Sequence, residues 1–224
     1  MLCISNLSLA QANYNLSDHD SKSYYFGITL GVNKSRFQLN HHTQFLLNDT
    51  VQVVEPLHAM GIELGLSATA RLTTRFDVRF NPQLIFTERN IFYKLKYPDP
   101  IDGIEVIKKV ESIIFSFPLQ IKFNSDRIGN FRVYMLGGVK ADIDLAANAR
   151  ARRAEYLVKL EKLDYGVELG MGFNFYFPSF IFSPEIKISN GLKNIHGRDE
   201  NLKYSNVLDR IQSRMIMFSI HLEG

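Results

Sequence analysis

RFDVRFNPQLIFTER, residues Arg75 to Arg89, puts Phe76, Val78, Phe80, Pro82, Leu84 and Phe86 at every second position. Asp77, Arg79, Asn81, Gln83 and Thr87 fill most of the places between them. Successive side chains of an extended chain point to opposite sides, so the segment has one apolar face and one face carrying full charges. A strand packed on an ordinary core keeps this up for about five or six residues. Here it runs more than ten, which asks what lies on each side.

The same parity recurs along the chain. Met60, Ile62, Leu64, Leu66, Ala68, Ala70 and Leu72 alternate with Gly61, Glu63, Gly65, Ser67, Thr69 and Arg71. Further segments begin at Phe26, Phe115, Phe131, Leu163, Phe180 and Ile216, each apolar on one parity and polar on the other. That makes eight strands. Their joins alternate in length: short at Thr73-Thr74, around Asn124 to Arg127, and at Pro178-Ser179; long from Phe37 to Leu57, Tyr97 to Gly103, Ala146 to Glu155, and Asn190 to Arg210. Short turns at one end and long loops at the other describe an all-β, eight-stranded antiparallel up-and-down transmembrane β-barrel of the bacterial outer membrane. An even strand number places both termini on the short-turn, periplasmic side. The apolar parity then faces lipid and the polar parity a narrow lumen, and closure leaves no unpaired backbone in the bilayer. A soluble lipocalin-like barrel or sandwich is the rival, with the charges as solvated faces. Small soluble barrels fill their inside with apolar side chains, however, whereas here the second parity carries Glu63, Asp77, Arg79, Lys140, Asp142, Glu168, Glu185 and Lys187. Strands three and four are nearly twice the ~9–11 residues a span needs, so their hairpin is expected to project above the outer surface. Pro82, Pro118 and Pro184 donate no ladder hydrogen bond, and local bulges are expected at each.

Bulk composition agrees. Formal charge is only +3, without the strong basic excess of a dedicated nucleic-acid binder. Apolar runs such as Ile113 to Phe115 fall far short of the ~18 residues of a membrane helix. Residues 1–12, MLCISNLSLAQA, end in Ala10-Gln11-Ala12 and read as the remnant of an export signal peptide. Residues 13–23 follow as a periplasmic N-terminal segment, and 24–224 as the barrel. Cleavage after Ala12 would remove Cys3, the single cysteine, and with it any disulfide or cysteine metal site.

By parity the lumen holds Glu63, Asp77, Asp142, Asp144, Asp164, Glu168 and Glu185 against Arg71, Arg79, Lys122, Arg132, Lys140 and Lys187. Eight strands leave a bore that side chains just fill. The expectation is therefore a mutually neutralising plug, since buried charges must be partnered. No cofactor is called for. His41, His42 and His58 lie near Ser35, Asp49 and Glu55, but loop proximity does not make a catalytic set. His41-His42 lacks further ligands spaced for a metal. The reading is non-enzymatic, with a surface-binding barrel or a hydrolase at the rim as alternatives. Two loop features are candidate contacts to lipopolysaccharide or a protein partner: Arg150, Arg152 and Arg153, and the i, i+3, i+4, i+7 set Tyr204, Val207, Leu208 and Ile211, which reads as one face of a short helix.

RFNPQLIFTER (79–89), VESIIFSFPLQIKFNSDRIGNFRVYMLGG (110–138), KISNGLKN (187–194) and YSNVLDRIQSRMIMFSIHLE (204–223) together resemble the PorT family of Bacteroidota outer-membrane barrels, linked to type IX secretion and gliding. The order Arg127, Asn130, Arg132, Tyr134 is the most specific part of the likeness. The resemblance implies an accessory role in exporting secreted proteins through contacts with other secretion-system proteins, and it carries over no enzymatic residues.

Overall fold

Alternation this long suits only extended chain. The computed structural model, which describes residues 15–41, 51–99, 103–146, 160–197 and 208–224, is strand almost throughout. Ten strands form: β1 (Tyr24–His41), β2 (Val51–Leu57), β3 (Ala59–Arg71), β4 (Phe76–Phe80), β5 (Gln83–Asp99), β6 (Gly103–Asn124), β7 (Phe131–Asp144), β8 (Leu163–Tyr176), β9 (Ile181–Gly191) and β10 (Leu208–Glu223). β2 continues into β3 across His58, and β4 into β5 across Asn81-Pro82, so ten strands occupy eight places in the wall. Every pairing is antiparallel between neighbours, and β1 closes the ring by pairing with β10 (Ile28↔Leu222) and with β3 (Leu30↔Leu64). This is the up-and-down barrel the parity predicts.

The prolines behave differently from expectation. No register shift accompanies Pro82 or Pro118: Phe80↔Leu119 and Gln83↔Ser116 keep one register across the gap, and Asn81 N–H donates to the Pro118 carbonyl at 3.2 Å. Pro184 likewise pairs with Ile220 inside an unbroken β9–β10 register. The missing donors interrupt the ladder without inserting a residue. Register shifts lie elsewhere, several of them in the outer part of the wall. Between Ile62↔Phe86 and Leu57↔Asn90 the pairing of the β2–β3 wall with β5 slips by one residue. Gly61 sits at this slip, where a Cβ would strike the Phe86 carbonyl oxygen.

Outward faces are apolar toward the periplasmic end of the wall: Phe26, Leu30, Leu66, Ile121, Leu169 and Phe218 are all exposed. Rings cluster toward the short-turn end, with Phe131 stacked on Phe173 and Phe177 on Phe180, in keeping with an interfacial aromatic belt. Beyond Val32 the outward positions of β1 turn polar (Lys34, Arg36, Gln38, Asn40), while the inward ones turn apolar (Phe37, Leu39). β5 and β6 continue outward as a long hairpin. There Phe37, Val51, Val54, Ile91, Tyr93, Leu95, Val106, Val110, Ile195 and Ile211 form a buried core inside the tube.

The helical reading is corrected at Leu208 and Ile211, where the described chain is strand. Leu208 opens β10, and Ile211 points inward, fully buried, pairing with Leu39. It belongs to the interior and presents no docking face. Tyr204 and Val207 lie outside the described residues, as do Arg150, Arg152, Arg153, His42 and Asp49.

Candidate functional site: a filled lumen and a latched mouth

Inward side chains of the girdle meet across the bore in groups. In the group nearest the periplasm, Arg79 donates from Nη1 to Glu185 Oε2 at 2.7 Å and from Nη2 to Glu223 Oε1 at 3.3 Å, all three fully enclosed. Tyr134 donates its hydroxyl to Glu185 at 2.8 Å, and His221 Nε2 lies 3.3 Å from the same carboxylate. Lys122 lies 3.9 Å from Glu223 and 3.9 Å above the Tyr134 ring, a cation–π contact in a water-poor space. Room for Tyr134 comes from the facing strand, where a Cβ on Gly172 would collide with the tyrosine hydroxyl. Asp77 accepts from Asn124 at 2.8 Å and Tyr25 at 3.2 Å.

Farther up, Lys187 lies 3.6 Å from Glu168, which also accepts from Gln120 at 2.7 Å, and Ser219 donates to Glu63. Toward the outer end, Lys140 and Ser116 both donate to Asp142 at 2.5 Å. Arg89 reaches Asp144 at 3.5 Å and Ser112 at 2.7 Å. A small apolar cluster, Ile85, Ile114, Met215 and Met217, packs among these groups. The bore is therefore filled by side chains, and its charges are set against one another.

Two residues assigned to the lumen by parity sit at its mouth instead. Arg71 lies 3.8 Å from Asp77 but donates to the backbone carbonyls of His19 (2.9 Å) and Asp20. Arg132 lies 3.3 Å from Asp20. Both thus hold the segment from Asn15 to Ser23, which contains a 3-10 turn (Ser17–Ser21) and lies across the periplasmic opening. Arg127 binds the same segment: Nη1 donates to Asp20 Oδ2 at 3.0 Å, Nη2 donates to the Asn15 carbonyl, and the guanidinium stacks 3.7 Å over Tyr176. Asn130 accepts from Asn15 N–H at 2.9 Å. His19 enters the barrel end, 2% exposed and 4.6 Å from the Tyr25 ring. Burial, and next the Arg71 charge, lower its pKa from 6.5 to about 4. Arg127, Asn130 and Arg132 are thus three latches on one strap, and Tyr134, two residues on, points into the charge network.

Parity missed several members. Glu223 follows Ser219 and His221 on the same face, and extending the period by one step finds it. Arg89 and Tyr25 also follow the parity of their strands. That Arg127, in a turn, would reach the N-terminal segment has no periodic signal. Asp164 is half-buried beside the outer end.

Of the residues weighed for catalysis, only Ser35, Glu55 and His58 have described side chains, and these three form no catalytic set. Ser35 points inward, bonded to Thr87 Oγ1 at 2.6 Å and to the Glu88 carbonyl at 2.7 Å. His58 and Glu55 are exposed. Among the described residues, no group of three or more His, Cys, Asp or Glu could hold a metal ion.

A closed antiparallel ring with an oily exterior and an ionic interior is a bacterial outer-membrane β-barrel. The outer membrane protein beta-barrel domain family matches residues 10–197, and the chain belongs to it. No curated protein matches the chain. Among solved structures it is similar to OprG from Pseudomonas aeruginosa, at 16% identity over 90% of this chain and 95% of that one, with a TM-score of 0.47. It is also similar to Neisserial surface protein A (12%, 88% and 95%, TM-score 0.39) and to the outer membrane protease OmpT of Escherichia coli (9%, 89% and 95%, TM-score 0.40). At such identities the likeness concerns the fold alone.

Proposed function

We propose that this barrel is a non-enzymatic component of the type IX secretion system that works through contacts with other proteins in the outer membrane. The observation that carries this reading is the closed bore. Arg79, Lys122, Glu185 and Glu223 fill it, the strap from Asn15 to Ser23 covers its periplasmic end, and eight strands leave no passage for a polypeptide. A barrel that conducts nothing acts by what it touches. The PorT-like order Arg127, Asn130, Arg132 supports the assignment, because those residues organise the face turned toward periplasmic partners.

Deleting the gene should abolish release of type IX cargo into the medium, read by immunoblot, with restoration by the intact chain. Normal cargo release and processing in the deletion strain would refute the proposal. Surface binding is the second reading, favoured by the apolar-cored extension beyond the membrane. Trimming 97–103 or 146–155 would then remove binding to surfaces and leave secretion intact.

A further inference from the structure

Three neighbouring strands change character at one level on the outer face. On β1 the outward residues run Ile28, Leu30, Val32 and then Lys34 and Arg36. On β10 they run Phe218, Ile216 and then Arg214, and on β3 Leu64, Ile62, Met60 and then His58. Register aligns the switch: Lys34 pairs with Ile216 on one side and Met60 on the other, and Arg36 pairs directly with Arg214. Two arginines directly opposite one another repel, and such pairs destabilise a sheet.

Three cations elsewhere on the surface do have acid partners: Arg75–Asp126 (3.0 Å), Lys94–Glu105 (3.5 Å) and Lys193–Glu161 (2.7 Å). Among the described residues no carboxylate pairs with Lys34, Arg36 or Arg214. Arg214 is held by a neutral group, its Nε donating to Asn190 Oδ1 at 3.0 Å, which leaves both Nη groups available. Lys34, Arg36, His58 and Arg214 line one surface hollow of about 330 Å³, and its floor includes Ile188 and Ile216.

We propose that this hollow is a binding site for the phosphate of an outer-leaflet glycolipid of the lipid A type. The cations lie on the long-loop side, where the outer leaflet's headgroups meet its acyl chains. A phosphate relieves the Arg36–Arg214 repulsion and takes charge-assisted hydrogen bonds from both. The isoleucines and the apolar belt below receive the acyl chains. This site is independent of the secretion role.

The test is native mass spectrometry of the full chain in detergent with three probes: diphosphorylated lipid A, the same lipid dephosphorylated, and phosphatidylglycerol. Lipid A should bind best, and Arg36→Gln/Arg214→Gln should weaken it by about tenfold or more, the scale of one lost charged hydrogen bond. Arg75→Gln, remote and acid-paired, should change nothing. Without lipid the double variant should melt at or above the parent temperature, because repulsion is gone; with lipid A it should melt below it. Should that variant not fold, Lys34→Gln on the same hollow carries the comparison. The proposal fails if the dephosphorylated lipid or phosphatidylglycerol binds equally well, or if the variants keep full lipid A affinity. It also fails if they lose a co-purifying protein instead, which would assign the patch to an acidic partner.

Discussion

The membrane girdle and the outer extension are the same tube with opposite chemistry. In the girdle Ile28 and Leu66 face out, while Glu63, Arg79 and Glu185 face in. In the extension Arg36, Gln38 and Lys94 face out, while Phe37, Ile91 and Tyr93 face in. β1, β5, β6 and β10 run through the boundary without turning over, whereas β2–β3 changes parity there, with Met60 and Ile62 facing out and Val54 facing in. What differs is the outside solvent. Acyl chains demand apolar neighbours and leave polarity for the bore, whereas water permits the ordinary arrangement with the apolar core inside. The boundary has its own markers: the one-residue slip at His58 to Gly61, and Arg89, which stacks 4.7 Å over Phe37 while reaching down to Asp144.

The comparison breaks most visibly where the girdle's interior is disturbed. Glu185 accepts from Arg79 and Tyr134 within the bore. Glu185→Ala should leave Arg79 with weakened compensation and cost about 3–5 kcal/mol. Urea unfolding in lipid vesicles measures it, and a change under about 1 kcal/mol would mean that water already solvates the cluster. The exterior comes next. Ile28→Arg, in the oily band of β1, should cost about 2–4 kcal/mol, whereas Gln38→Arg, ten residues up the same face, should stay within about 0.5 kcal/mol. Equal effects at the two positions would erase the boundary. Smaller again is Ile91→Val in the core of the extension, expected to cost about 0.5–1.5 kcal/mol by the lost methyl. Hydrogen exchange should show that loss in the β5–β6 hairpin more than in the girdle.

These contrasts also explain what could be read in advance. Wherever lipid stands on one side, it imposes strict alternation, so parity finds all eight places in the wall, and the turns at Thr73-Thr74 and Pro178-Ser179 fall where expected. In the extension the alternation persists with its chemistry reversed, and a rule that equates apolar with outward loses the strands. Phe37 therefore read as the start of a loop although β1 continues to His41, and Ile211 read as a helix face although it is an inward strand residue. Parity placed Glu63, Asp77, Arg79 and Glu185 on one face, but which charges meet depends on reach across the bore. The strap is invisible to periodicity, because its partners come from two separate places in the chain, Arg71 at the end of β3 and Arg127 with Arg132 around the β6–β7 turn.

The smallest effect concerns the strap against the wall it covers. His19 is buried as the neutral form: neither ring nitrogen has a hydrogen-bond partner, and Arg71 and Lys22 face it with positive charge, opposed by Asp20 and Glu223. Its pKa of about 4 when docked compares with about 6.5 when free. The released strap therefore binds more protons between those values, and acidification through that window favours release. Docking should be fully present above pH 6.5, weaken steadily toward pH 4, and weaken no further from this group below it. Hydrogen exchange of residues 15–23, corrected for the intrinsic pH dependence of the rate, is the measurement. Protection should fall across the window while the β7–β8 wall stays unchanged. His19→Phe keeps the ring against Tyr25 and removes the proton, so its strap should hold protection down to pH 4. If parent and variant lose protection in parallel, the histidine does not control release of the strap.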